Sequence, residues 1–324
     1  METSWKKNVA FFLSGQALSL FGSSLVQYAI AWHITLETQS GSMMTIAVII
    51  GFIPTFVMSP VGGVLADRYN RKWVITLADG VIALATLILA ILFILGYTSV
   101  WLLFVFSGIR ALGTGVQTPA VNALIPQITP QEQLVRVNGI NSTIQSITMV
   151  AAPALSGVML TFASIEALFF IDVFTAAIGI CLVFLFVQVA SPVAIASDAA
   201  TPPSNYVRDI KEGFAYIRRH GYVLRICLLT AGFLFAATPM AFLTILQVTR
   251  KFGAEVWRLT ANEIVFSSGM ILGGMIISTW GGFKNKVYSM ALSCALCGVG
   301  SVLLGLMSDF TLYLVCMGSL GVVM

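Results

Sequence analysis

Gly63-Val64-Leu65-Ala66-Asp67-Arg68-Tyr69-Asn70-Arg71-Lys72 puts four charges within six residues, between two long apolar runs, Met43–Val64 and Trp73–Leu95. A chain leaving one apolar helix and entering the next must turn here in contact with water. Gly63, with no Cβ, permits close approach of a neighbouring helix. Asp67 can pair with Arg71 one turn on, or face a helix N-terminus. Asn70 tolerates left-handed backbone, so a tight turn is expected at that residue. Arg68, Arg71 and Lys72 hold the loop on the water side.

The flanking runs recur along the whole chain. A bilayer core of ~30 Å takes about 20 apolar residues in a helix. Such runs occupy Val9–Ile34, Met43–Val64, Trp73–Leu95, Val100–Pro119, Gly139–Phe162, Leu168–Val189, Val223–Val248, Ile264–Trp280 and Val287–Met307. A tenth begins at Phe310 and stops with the chain at Met324, which reaches only ~22 Å at ~1.5 Å per residue. The expectation is an all-α polytopic membrane protein of about nine and a half spans, C-terminally truncated. Composition agrees: of 324 residues, 58% are hydrophobic and only 9% charged, and the mean hydropathy is +0.95. Thirty charges cannot cover a soluble surface of this size. That excludes a cytosolic enzyme, a nucleic-acid binder and a disordered chain. The first run follows Lys6 and Lys7 and contains Ala29-Ile30-Ala31, as a signal peptide would, but it is too long for one.

Lysine and arginine in the loops set the orientation. With the N-terminus in the cytoplasm, Lys6, Lys7, Arg68, Arg71, Lys72, Arg136, Arg208, Lys211, Arg218, Arg219, Lys284 and Lys286 fall inside, and Arg225 lies at the edge. Arg250, Lys251 and Arg258 fall outside and run against the bias. The segment after the sixth span is polar. Ala190–Asn205 is rich in Ala, Ser and Pro, and Tyr206–His220 is a short, charged, helix-like stretch. The chain therefore divides into residues 1–189 (a six-helix half), 190–222 (a cytoplasmic linker with a short amphipathic helix) and 223–324 (spans seven to nine and part of ten).

The Gly63–Lys72 loop resembles the signature G-x-x-x-D-R-x-G-R-K of the major facilitator superfamily, with Asn70 in place of the second glycine. Arg110-Ala111-Leu112-Gly113-Thr114-Gly115 is similar to that family's Arg/Gly motif in span four, with the glycines shifted by one. Gly15-Gln16, Ser19-Leu20, Thr118-Pro119-Ala120, Ala123-Leu124-Ile125-Pro126, Gln133-Leu134, Val137-Asn138-Gly139 and Phe170-Ile171-Asp172-Val173 look like its macrolide-efflux branch. Ala152-Pro153 with Ser156-Gly157 resembles only weakly the exporters' G-P-x-x-G-G motif. The resemblance implies two parallel six-helix halves, the second incomplete here. It also implies alternating access about a midplane cavity, with Gly63, Asp67, Arg68, Arg71 and Lys72 as a conformational latch. It points to a plasma-membrane transporter, not an enzyme and without a cofactor or metal, acting as a monomer. The implied activity is proton-coupled efflux of a small amphiphilic substrate, a macrolide-like or other antibiotic. The alternatives are export of a metabolite, siderophore or lipid, or a truncated membrane protein that binds without transporting.

Charge inside the membrane is costly, so each intramembrane ionisable residue is a functional candidate. Asp79 and Arg110 are expected at similar depth, if span four ends near Pro119. They form a structural ion pair, or Asp79 exchanges a proton. Asp172 is expected in the outer part of span six, either bonded to neighbouring backbone or proton-coupled. Glu263 is expected just outside span eight and Glu37 in an outer loop, both solvated. Two polar stripes run at helical spacing. Gln16, Ser19, Ser23 and Gln27 mark span one; Asn138, Asn141, Gln145 and Thr148 mark span five. Unsatisfied amides in hydrocarbon are expensive, so each stripe meets a helix as interhelical glue or lines a wet cavity. The cavity reading names Gln16, Ser23, Gln27, Asn141, Gln145 and Thr148. Gly269 and Gly273 fit close helix packing, His33 fits an interfacial position, and Cys294 with Cys297 fit buried small hydrophobes. No Walker loop or nucleophile elbow is present.

Overall fold

The computed structural model describes residues 2–189, 215–280, 283 and 286–324. The architecture is all-helical: α1 (Glu2–Thr38), α2 (Gly41–Arg68), α3 (Arg71–Ile94), α4 (Val100–Ile128), α5 (Leu134–Phe162), α6 (Ile165–Phe186), α7 (Gly221–Phe252), α8 (Val256–Trp280), α9 (Lys286–Leu306) and α10 (Phe310–Val323). Among the described residues, seven helices are long and apolar enough to cross a membrane, namely α1 to α6 and α8. Shorter apolar stretches cover Gly221–Gly232, Ala291–Leu306 and Phe310–Val323.

Met1–Val189 and Ile245–Met324 form one compact unit, and Ala190–Thr244 a second. Most of the expected linker, residues 190–214, lies outside the described residues. In the second unit, residues 215–219 are helical. His220 follows, with a ring nitrogen 2.9 Å from the Tyr216 carbonyl oxygen and its ring 4.0 Å from the Tyr216 ring.

Within the larger unit, large apolar side chains point both ways, as lipid solvation allows. Phe52, Phe56 and Leu77 face outward. Inward-facing ones form two separate cores. One lies at the end carrying Asp67 and contains Phe12, Leu13, Ile75, Leu124, Ile125 and Val183. The other lies at the opposite end, with Val26, Ile30, Leu89, Phe93, Leu103 and Phe169. Phe93 meets Phe169 edge-on at 5.5 Å.

Several boundaries differ from those expected. Helix α4 does not end near Pro119. It runs through Pro119 and Pro126 to Ile128, because Ala120, Leu124, Ile125 and Ile128 share a buried face in the first core. Helix α8 starts at Val256, eight residues before the apolar run, so Glu263 lies inside a helix rather than beyond it.

The loop between α2 and α3 also departs from expectation. Asn70 is not left-handed: at φ −62° and ψ 114° it is the N-cap of α3. Its side-chain oxygen accepts from the Lys72 backbone N–H at 3.1 Å. An Asn cap satisfies an otherwise orphaned donor, which a glycine there could not do. Nor does Gly63 meet a neighbouring helix, since its missing Cβ would point into open space. The close contact belongs to Gly62, where a methyl group would sit 2.7 Å from the Gly115 carbonyl oxygen of α4. Gly269 and Gly273 do pack closely, against the Gly318 and Val322 carbonyls of α10.

These two adjacent glycines give a direct test. Gly62→Ala overpacks the α2–α4 contact and costs about 1–3 kcal/mol. Gly63→Ala gains helix propensity, up to about 1 kcal/mol. Thermal unfolding of the purified proteins in detergent should therefore show a lower Tm for the first and an unchanged or higher Tm for the second.

Candidate functional site

Between the two apolar cores lies polar chemistry in two layers. In the layer nearer Asp67, the Asp79 side chain of α3 is buried and receives three side-chain donors. Ser19 Oγ donates to Oδ1 at 3.2 Å, Gln16 Nε2 approaches Oδ2 at 3.5 Å, and Gln117 Nε2 donates to Oδ1. All three donors are neutral, and no ion pair reaches Asp79 from the described residues.

The second layer holds Asp172 of α6, with no exposed surface. Arg110 Nη1 lies 2.5 Å from its Oδ2. Ser23 Oγ donates to Oδ1 at 3.1 Å. Thr86 Oγ1 lies 2.9 Å from Oδ2 and 3.0 Å from the Ile82 carbonyl, so its one proton serves one acceptor at a time. Arg110 also reaches the Thr86 hydroxyl and the Ser23 backbone carbonyl, at 3.1 Å.

The two layers repeat along the helices. α3 supplies Asp79 and Thr86, and α4 supplies Gln117 and Arg110, each pair seven residues apart. α1 supplies Gln16 and Ser19 to one layer and Ser23 to the next. Seven residues are two turns, so the layers lie about 10 Å apart. The expected pairing of Asp79 with Arg110 is corrected: the partner of Arg110 is Asp172. Because α4 extends to Ile128, Arg110 lies about 27 Å from that helix end, whereas Asp79 lies only about 12 Å from the start of α3. Asp172 is likewise no interfacial residue bonded to backbone, since side chains of three other helices surround it.

The α1 stripe therefore splits. Gln16, Ser19 and Ser23 bond to the carboxylates, while Gln27 is exposed. On α5, Gln145 is exposed, Asn141 half-buried and Thr148 buried. None of these six cavity candidates borders the groove beside Lys6. That groove, of about 580 Å³, lies between α1 and α5 and is bordered by Lys6, Leu13, Arg136, Ile140 and Ile144. His33 packs edge-on to Phe93 at 6.0 Å. Cys294 and Cys297 are free and half-buried, and no metal-binding cluster occurs among the described residues.

The loop residues form a third constellation. Arg71 donates to the Ala66 carbonyl at 3.0 Å and to the Ala123 carbonyl at 2.8 Å, which ties the ends of α2 and α4. Lys72 Nζ donates to the Val187 carbonyl at 2.7 Å, beyond the end of α6, and sits over the Phe184 ring. Asp67 lies 3.8 Å from Arg71 with 76% of its side chain exposed. Arg68 is exposed as well. The sequence reading missed Gln117 and Thr86. A polar residue two turns from a membrane charge on the same helix was the available signal.

A bundle of long apolar helices around a sequestered ion pair defines a multi-pass helical membrane protein. The Major Facilitator Superfamily model matches residues 12–324, and the chain belongs to that family of transporters, which act on small molecules and are not enzymes. It is 29% identical over 319 residues to macrolide efflux protein A of Streptococcus pyogenes, covering 98% of this chain and 78% of that protein. It is 29% identical over 284 residues to macrolide efflux protein A of Enterococcus faecalis, covering 87% of each. In fold it resembles the inward-facing, unoccupied crystal structure of a bacterial homolog of the human lysosomal transporter Spinster. The TM-score is 0.68 at 15% identity, covering 100% of this chain and 73% of that one.

The two layers should separate by stability. Arg110→Ala strands a buried carboxylate and costs about 3–5 kcal/mol. Arg110→Leu combined with Asp172→Leu should cost less than the sum of the single changes. Asp79→Asn, with no countercharge to strand, should cost about 1 kcal/mol or less. Thermal unfolding of the five proteins checks all three.

Proposed function

We propose that this chain is a secondary active exporter of small amphiphilic molecules of the macrolide kind, driven by inward proton flow. One observation carries the coupling: Asp79 is a buried carboxylate held only by neutral donors. Desolvation penalises its charged form, and gaining a proton removes that penalty without breaking an ion pair. Asp172 is differently placed, because protonating it would strand Arg110. In this reading Asp79 exchanges the proton, while Arg110 and Asp172 fix α4 against α6. The macrolide efflux relatives supply the cargo class.

The orientation follows the loop bases, with the N-terminus and the Asp67 end in the cytoplasm of a plasma-membrane protein. Residues 1–189 act as one half, 190–222 as linker and 223–324 as a partial second half, giving nine spans and part of a tenth in a monomer. The described contacts between residues 2–189 and 245–324 lie at the other end. Arg250 Nε donates to the Gln39 carbonyl at 3.0 Å, and Leu246 packs near Gly41. That arrangement corresponds to a state closed on the outside. Asp67, mostly exposed beside Arg71, serves as the outward arm of the latch. Gln27, Asn141 and Gln145 face the substrate, with Thr148 at the margin. Gln16 and Ser23 relay between that face and the carboxylates.

Everted vesicles with an acid interior should take up a radiolabelled macrolide and release protons as they do so. Asp79→Asn should abolish the proton release while macrolide binding persists, and Asp67→Ala should slow turnover several-fold. Vesicles that move no macrolide under the gradient, with Asp67→Ala indistinguishable from the parent, would sink the proposal.

A further inference from the structure

Lys6 and Arg136 are bases to which the functional reading gives no task. Both are exposed, and both border the groove of about 580 Å³ between α1 and α5. Lys6 Nζ lies over the Trp5 ring at 5.8 Å. Among the described residues no hydrogen bond or ion pair engages either base. Arg71 and Lys72, at the same end, are instead held by backbone carbonyls. No carboxylate borders the groove among the described residues. Glu132, next to Gln133 in sequence, is exposed and stands outside the lining. Two like charges therefore share one opening without a counterion.

Away from the opening the lining changes character. Gln133 joins the two bases at the mouth, and Leu13, Ala17, Ile140 and Ile144 line the rest, with Ser14 as the polar exception. The groove follows α1 from Lys6 to Ala17 and α5 from Gln133 to Ile144, a run of about 16 Å along each helix. Both helices begin at the Asp67 end, whose apolar core takes in Val9, Leu13 and Val137. The bases thus lie at the water boundary of that end, and the apolar lining leads into the bundle. A cationic mouth above an apolar trough selects an anionic amphiphile. A free inorganic anion would satisfy the bases and leave the trough wet. A neutral lipid would fill the trough and leave the bases uncompensated.

We propose that this groove binds one anionic phospholipid, its phosphate held between Lys6 and Arg136 and one acyl chain laid along Leu13, Ile140 and Ile144. The lipid comes from the cytoplasmic leaflet, where anionic headgroups gather and where basic pockets between helices capture them. Only the choice of leaflet rests on the orientation proposed above; the binding itself does not depend on transport. Bound there, the lipid bridges the first turns of α1 and α5. The site is separate from the substrate face assigned to Gln27, Asn141 and Gln145, none of which borders the groove.

The test measures lipid binding without any drug. The purified, delipidated chain is titrated in detergent with phosphatidylglycerol or with phosphatidylcholine of the same acyl chains, and bound lipid is counted by native mass spectrometry. One phosphatidylglycerol should bind in preference to phosphatidylcholine. Lys6→Gln and Arg136→Gln should each weaken phosphatidylglycerol about fivefold, and the double variant should lose the headgroup preference. Lys7→Gln, which removes an exposed base next in sequence but outside the groove, should leave it intact. Ile140→Trp, which fills the trough from an exposed position, should weaken phosphatidylglycerol severalfold while the remaining binding keeps its preference. Equal binding of the two lipids by the parent, or a double variant that still prefers phosphatidylglycerol, overturns the proposal. Displacement of phosphatidylglycerol by millimolar inorganic phosphate also overturns it, because the site then belongs to a free anion. Failure of macrolide export leaves these titrations unchanged, so the two readings fail separately.

Discussion

Arg110 and Asp172 lie 2.5 Å apart in the interior of a helix bundle, and the surrounding architecture follows from keeping them there. A lone charge in hydrocarbon is costly, and a pair survives only if its other hydrogen-bonding positions are filled. Ser23 and Thr86 fill them, which obliges α1 and α3 to present hydroxyls at one level of the bundle. Four helices are thereby registered to one another at a single depth. The apolar cores above and below are then free to be imprecise, since any hydrophobe of suitable size fills them. Register is the property that apolar packing alone supplies poorly in a membrane, where lipid tails solvate leucine as well as a neighbouring helix does.

At the Asp67 end the same economy appears with opposite sign. Helix C-termini carry orphaned carbonyls and partial negative charge. Arg71 and Lys72 spend their donors on the carbonyls of Ala66, Ala123 and Val187. Arg71 and Lys72 are thus structural ties among α2, α4 and α6. Asp67 keeps only a long contact to Arg71, at 3.8 Å, and stays mostly exposed. A loop that reads as basic in sequence presents its carboxylate to whatever docks there.

Much of the fold was legible because hydrophobic runs of bilayer length have few alternatives. The all-helical class and the order of the spans follow from them. Helix ends were less legible, and the errors at the site descend from that. Pro119 looks like a terminus, but the buried face formed by Ala120, Leu124 and Ile125 carries α4 two turns further, and that extension changes the depth assigned to Arg110. Val256–Asn262 is too polar for an apolar run, so the pattern stops short of Glu263, which α8 contains. The contrast between Gly62 and Gly63 was out of reach of pattern reading, because one residue turns the missing side chain by about 100° around the helix. Only the position of α4 decides which glycine is needed. Asp79, Arg110 and Asp172 stood out individually as membrane charges, yet their pairing is a tertiary fact.

The division of labour between the two buried aspartates follows from their partners rather than their burial, since both are sequestered. Neutralising a carboxylate bonded to a guanidinium leaves the cation uncompensated. A carboxylate bonded to two amides and a hydroxyl has no such anchor, since those donors can rotate and accept from its protonated form instead. Of the two, Asp79 can therefore change charge while its layer keeps its geometry. A layer able to change charge and a rigid registering layer can then share α1, α3 and α4 at about 10 Å separation, with α6 joining only the second.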